Sequence, residues 1–317
     1  MGRYFLKIIK EKRSSIFKII LLALIALWIP TILIYFLGEK NDKKVYNVKN
    51  SGKTIIMENE KLDIEEFIPC VVASQIDIKS NEEVIKAFTV VIRTYINRQM
   101  KNSASIEADK LGLPYITYSQ MEKVWENDFT KNYNMLMKSV SNTAMEMIYY
   151  NDELIVPYYH YLSSGKTRTG SEVGENCNLP YLKSVTSKGD ITNEKFLSMK
   201  TMSYEEFANT IMKFRDSIVI SNENPLEVVS IVERDSAGYV KNIQVGTTLL
   251  TGDEFMKCFA LNSPDFTVEN YEEKVRIITK GNGHGLGLSI VGANNMAGEG
   301  ASYKEILLYY YTDIKIK

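Results

Sequence analysis

The chain is poor in the residues that most often announce a chemistry. It has two histidines, three cysteines and two tryptophans in 317 residues. Cys70, Cys177 and Cys258 are an odd set without C-x-x-C spacing, which gives neither a zinc site nor a readable disulfide framework. No metal and no cofactor is expected on that basis. Positive charge is not in excess either. The net charge is −1, and the chain is more acidic once its basic first eighteen residues are set aside, which argues against nucleic acid as a partner. Repeats and low-complexity tracts are lacking. Long apolar runs are lacking too, with one exception at the N-terminus.

That exception is Ile19 to Leu37, preceded by Arg3, Lys7, Lys10, Lys12, Arg13 and Lys18. A run of about 19 residues suits a bilayer core of roughly 30 Å. Tyr35-Phe36-Leu37-Gly38-Glu39 is too bulky for a signal-peptide cleavage site. The pattern predicts a cytoplasmic basic tail over residues 1–18 and a single-pass transmembrane anchor over 19–37. The main domain, over 45–313, is then extracytoplasmic.

That main domain reads as α+β, in one domain or two small subdomains, with helices and antiparallel strands mixed and no regular βαβ alternation. A hairpin is expected over Val45–Met57, turning at Asn50-Ser51-Gly52. Helices are expected over Ile64–Ser74, from a Ser80-x-x-Glu83 capping box to about Met100, over Ser119–Ser141, over Tyr204–Phe214 and over Asp253–Phe259. Strands are expected at Glu146–Tyr150, Leu154–Tyr158, Val228–Val232, Tyr239–Val245 and Val275–Thr279.

Both histidines lie in small-residue loops. His284 sits in Gly283-His284-Gly285-Leu286-Gly287-Leu288-Ser289, and His160 in Tyr159-His160-Tyr161-Leu162-Ser163-Ser164-Gly165-Lys166-Thr167. Glycine at this density brings backbone close to something rather than extending a helix or strand. The pattern marks both imidazoles as candidate ligand contacts lining one cleft; the bland reading is that each satisfies a buried loop.

Four stretches in order resemble the stage II sporulation protein D family of lytic transglycosylases, also called the amidase-enhancer family. They are F-I-P-C-V-V-A-S-Q-I from Phe67 to Ile76, E-V-I-K-A-F-T-V-V-I-R-T-Y from Glu83 to Tyr95, the His160 loop followed by Pro180-Tyr181-Leu182-Lys183-Ser184-Val185, and Gly283 to Tyr310. The resemblance implies action on the glycan strands of peptidoglycan in sporulation, during engulfment. The reaction cleaves between N-acetylmuramic acid and N-acetylglucosamine and leaves a 1,6-anhydro end. It also implies a polar glycan-binding wall of Arg93, Thr94, Tyr95, His160, Ser163, Ser164, Lys166, Thr167, His284 and Ser289. A cell-wall amidase and other engulfment proteins are expected as partners, beside the membrane itself.

One departure decides the chemistry. The family's catalytic glutamate corresponds to Gln75, and an amide has no proton to give at neutral pH. Glu83 is the candidate substitute, although the expected capping box gives it a structural role. Three readings follow: a lytic transglycosylase with a divergent acid, a pseudoenzyme that binds glycan or stimulates an amidase, and a scaffold whose motifs only hold the fold.

Overall fold

A computed structural model describes residues 48–57, 60–173 and 179–317. The basic tail, the apolar run expected to be the anchor, and Cys177 lie outside the described residues. Among those described, no helix is long and apolar enough to cross a membrane.

Strand β1 (Thr54–Met57) pairs antiparallel with β2 (Glu60–Asp63) and parallel with β3 (Ser105–Glu107). The hairpin expected to turn at Asn50-Ser51-Gly52 is therefore displaced. Those residues lead into β1, and Ser51 is held from the far side by the Asp63 carboxylate, its N–H and hydroxyl each at 2.9 Å. Helix α1 (Ile64–Gln75) follows, started by a capping box between Asp63 and Glu66.

Helix α2 (Glu82–Met100) is the axis of the first core. Val84, Ala87, Phe88 and Val91 share the face that its periodicity marks, and all are fully buried. Its start differs from the expected capping box. The cap is Asn81, whose side-chain oxygen accepts the Glu83 N–H at 3.0 Å. Because the helix begins one residue later than a Ser80 cap requires, the Glu83 carboxylate turns away. It accepts the Tyr303 N–H at 2.8 Å and pairs with Lys86 at 2.7 Å.

The single helix expected over Ser119–Ser141 is two. Helix α3 (Tyr118–Trp125) breaks at Glu126, which has φ 44, and α4 (Phe129–Asn142) resumes after one tight turn. The break lets the Tyr118 ring meet Phe129 at 4.7 Å and Tyr133 at 5.3 Å. A straight helix would hold residues 118 and 129 about 16 Å apart. Strands β4 (Ile148–Tyr150) and β5 (Glu153–Leu154) then form a hairpin, with Asn151 and Asp152 at positive φ as such a turn requires. Strand β6 (Tyr159–His160) enters the site.

A second core follows. It comprises β7 (Leu197–Ser203), α5 (Tyr204–Phe214), β8 (Val229–Arg234), β9 (Val240–Val245), β10 (Thr248–Thr251), α6 (Gly252–Phe259), β11 (Asp265–Tyr271) and β12 (Lys274–Lys280). Its sheets run β11-β12-β7 and β10-β9-β8, antiparallel throughout. Phe207, Phe255, Phe259 and Phe266 stack between them with centroids 4.7–4.8 Å apart along the series.

The chain then returns to the first core. Strand β13 (Leu288–Ser289) pairs parallel with β6, α7 (Ile290–Gly298) and α8 (Tyr303–Tyr310) pack on α2, and β14 (Lys315–Ile316) closes on β4. The class is α+β, and the described residues belong to one compact unit.

Candidate functional site

The glycine loop after β12 is shaped by contact. Gly283 has φ +120, and a Cβ there would sit 2.5 Å from the His160 Cβ. Gly287, at φ +67, lies against the Tyr158 carbonyl with no room for a side chain. These approaches bring the two imidazoles together, with ring centroids 5.8 Å apart. The Tyr158 ring packs edge-on to His284 at 5.5 Å.

The tautomers follow from the backbone. His160 Nδ1 donates to the Leu286 carbonyl at 3.0 Å, which leaves Nε2 as a bare acceptor. That atom is buried and has no partner among the described residues. His284 Nδ1 accepts the Leu286 N–H at 3.0 Å, so its proton sits on Nε2. Burial disfavours charge on both rings. It holds His160 down at about 4 and, with the neighbouring His160, holds His284 down at about 3. Both imidazoles are neutral at pH 7.

Two buried charges hold this loop, and neither stands out in the sequence. Asp190 is fully buried and accepts the Ser163 N–H at 2.7 Å, the Ser163 hydroxyl at 2.5 Å and the Ser289 hydroxyl at 2.8 Å. Desolvation pushes its carboxyl up, against these hydrogen bonds. Arg168 is buried as well. It pairs with Asp235 at 2.7 Å and Asp253 at 3.1 Å, and it donates to the His284 carbonyl at 3.4 Å. It thus ties the second core to the histidine loop. A lone Asp in Lys188-Gly189-Asp190 gives no periodic signal, and Arg168 follows a polar loop without a pattern of its own.

Gln75 ends α1 and is half-buried. Its Nε2 donates to the Pro114 carbonyl at 3.3 Å, and its Oε1 accepts the Tyr159 hydroxyl. The Pro114 oxygen can only accept, so the amide orientation is fixed. Burial pushes the Tyr159 phenol up to about 12, and its ring packs edge-on to Phe88 at 4.8 Å. Successive residues of a strand point to opposite faces. Tyr159 therefore serves Gln75 on one side of β6, while His160 meets the glycine loop on the other.

The remaining sequence-marked residues divide. Ser163 and Ser289 join through Asp190, as described. The Ser164 N–H donates to the Tyr239 hydroxyl at 3.0 Å, which in turn donates to the Lys166 carbonyl at 3.2 Å; the Lys166 side chain is exposed. Thr167 is buried, and its hydroxyl accepts the Val185 N–H at 2.9 Å. Arg93 and Thr94 do not join this group, and Tyr95 lies on the Gln75 side, near enough to Tyr159 to help push its phenol up. Arg93 is 1% exposed and forms a bidentate pair with Glu65 at 2.6 and 2.7 Å. Thr94 binds the Val90 carbonyl and the Ile148 N–H. The Tyr95 hydroxyl donates to the Leu111 carbonyl at 2.9 Å. Arg93 and Thr94, expected in a polar wall, are thus internal to the first core, because their partners come from other elements of that core, whereas Tyr95 is half-buried. Glu83 remains with Lys86 and the start of α8.

The sequence model of the family described as SpoIID, stage II sporulation protein, matches residues 52–150. The chain carries a SpoIID domain. The stage II sporulation protein D of Bacillus amyloliquefaciens is 29% identical over 265 residues, covering 81% of this chain and 75% of that one. The protein of the same name from Bacillus subtilis (strain 168) is 28% identical with the same coverage. An uncharacterised protein of Brachyspira hyodysenteriae is 26% identical over 269 residues, 83% of this chain and 68% of that one. The SpoIID match contains Gln75, Glu83 and Arg93-Thr94-Tyr95; both histidine loops lie after it.

Proposed function

We propose that this chain is a membrane-anchored sporulation protein that acts on the glycan strands of peptidoglycan, and that its lytic chemistry is impaired. One observation carries the second half. The position of the expected acid holds an amide, pinned between an acceptor that takes its N–H and a tyrosine that fills its oxygen. Cleavage of a glycosidic bond to an anhydro end needs a carboxyl that gives its proton to the leaving oxygen. Neither neighbour of Gln75 replaces it, since the Pro114 carbonyl has no proton and burial holds the Tyr159 phenol near 12. Glu83 is committed to Lys86 and to the Tyr303 N–H.

The first half rests on the SpoIID domain, on the histidine pair with its open Nε2 acceptor, and on the basic-then-apolar N-terminus. Such a protein would serve the wall by gripping glycan, with stimulation of a partner amidase as its output. The test is incubation of the full chain with purified glycan strands, followed by mass spectrometry for anhydro ends and by sedimentation with insoluble wall. Co-sedimentation with few or no anhydro ends is expected. Abundant anhydro ends would return the chain to the lytic transglycosylases and direct attention to Glu83.

A further inference from the structure

Away from the histidine pair, a cavity of about 310 Å³ opens between the loop 186–190 and helices α7 and α8. Lys188, Asn295 and Glu299 stand exposed at its mouth, Tyr309 forms a wall, and Ser187 and Tyr310 form a floor. The Tyr309 ring is 39% exposed yet fixed. Its hydroxyl donates to the Thr186 carbonyl at 2.5 Å, and its ring packs edge-on to Tyr310 at 5.3 Å. At the floor, the Ser187 and Tyr310 hydroxyls bond at 2.9 Å. Gly292 of α7 lies over that pair and would clash with both oxygens if it bore a side chain. The cavity exists in this form because residue 292 is glycine.

We propose that this cavity binds one pyranose ring of a glycan strand. A pinned aromatic face open to solvent matches the C–H face of a sugar. The Asn295 amide donates to the Glu299 carboxylate at 2.9 Å, and the atoms which that bond leaves over, with the Lys188 ammonium, match the hydroxyl and acetamido groups of the ring. The two charges cancel, which suits an uncharged, polyhydroxylated ring better than a phosphate or a basic peptide. The volume is at the lower end of small-ligand sites, the size for one ring rather than several. The floor is wired to the candidate site, since Ser187 also bonds Asp190, and Asp190 holds Ser163 and Ser289. The proposal rests on the glycan reading above and adds a second point of grip to it.

The experiment is calorimetric titration of the full chain in detergent with a tetrasaccharide of alternating N-acetylglucosamine and N-acetylmuramic acid. Tyr309→Ala should weaken binding roughly tenfold, the scale of one lost aromatic face contact. Tyr309→Phe keeps the ring and should bind within about twofold of the native chain, which separates lost stacking from a lost tether. Matching melting curves for the two variants would confirm that folding is not the cause. Binding that Tyr309→Ala leaves unchanged overturns the pocket and spares the glycan reading. A native chain that binds no tetrasaccharide overturns both.

Discussion

Replacing Gln75 with glutamate should return a general acid to the molecule, and the surroundings predict its protonation. One oxygen of the introduced carboxyl would still accept the Tyr159 hydroxyl. The other would face the Pro114 carbonyl, now 3.3 Å from the Gln75 nitrogen. Two acceptors there repel unless a proton lies between them, so the neutral carboxyl is favoured and its pKa rises. That is the condition an acid needs at neutral pH. General acid catalysis is worth ~10²–10⁴-fold, so anhydro ends should rise by that order in a glycan assay by mass spectrometry. The same shift has a stability signature. A folded pKa raised above the unfolded value of about 4.3 gives stability that is full below that value and lost as pH rises through the folded pKa. Gln75→Glu should therefore melt like the native chain at pH 4 and fall behind it at pH 8, by about 1–3 kcal/mol for the unsatisfied contact. A variant that cleaves no better and tracks the native melting curve at every pH would refute the reasoning.

Further outcomes follow from the buried charges. Arg168→Gln leaves Asp235 buried without its cation and should cost about 3–5 kcal/mol in urea unfolding. Asp190→Ala strands the Ser163 N–H and the Ser163 and Ser289 hydroxyls, and should lower the unfolding free energy by about 2–4 kcal/mol. His160, held at about 4 in the fold, contributes stability that is present above the unfolded value of about 6.5 and lost as pH falls. Unfolding free energy should drop by roughly 3 kcal/mol on its account between pH 7 and pH 4, and His160→Gln should flatten that slope. Glu83→Gln should weaken the start of α8 by about 1 kcal/mol in thermal melts, from the loss of a charged acceptor for the Tyr303 N–H.

The elements that could be read in advance were those with local causes. α2 shows its buried face as a 3.6-residue period, α5 and α6 open on good caps, and Asn151-Asp152 is a turn by residue type alone. β7 was not readable, because Met202 is the sole residue of that strand that is buried. In the site, Gln75 and the two histidine loops stood out by position in their motifs. The meaning of Gln75 did not, since Pro114 and Tyr159 reach it from distant parts of the chain. Arg93 was misplaced for the same reason: a polar triplet on a helix looks like a wall until Glu65 arrives from α1 to bury it. Asp190 needed three partners from separate loops before it meant anything.

The pairing of β6 with β13 carries a consequence for the order of assembly. His160 and the Leu286 carbonyl that fixes its tautomer are 126 residues apart in the chain. Closing a loop of that size is a late event unless the intervening chain shortens it. The second core is what shortens it: β7 leaves near the site and β12 returns to it, with Gly281 bonded back to Phe196. Its folding delivers the glycine loop to β6. A polypeptide halted before β12 would hold Gln75 on α1 and α2 beneath it, yet lack His284 and with it the imidazole pair. A fault in the phenylalanine stack of the second core would likewise leave the histidines apart without touching either.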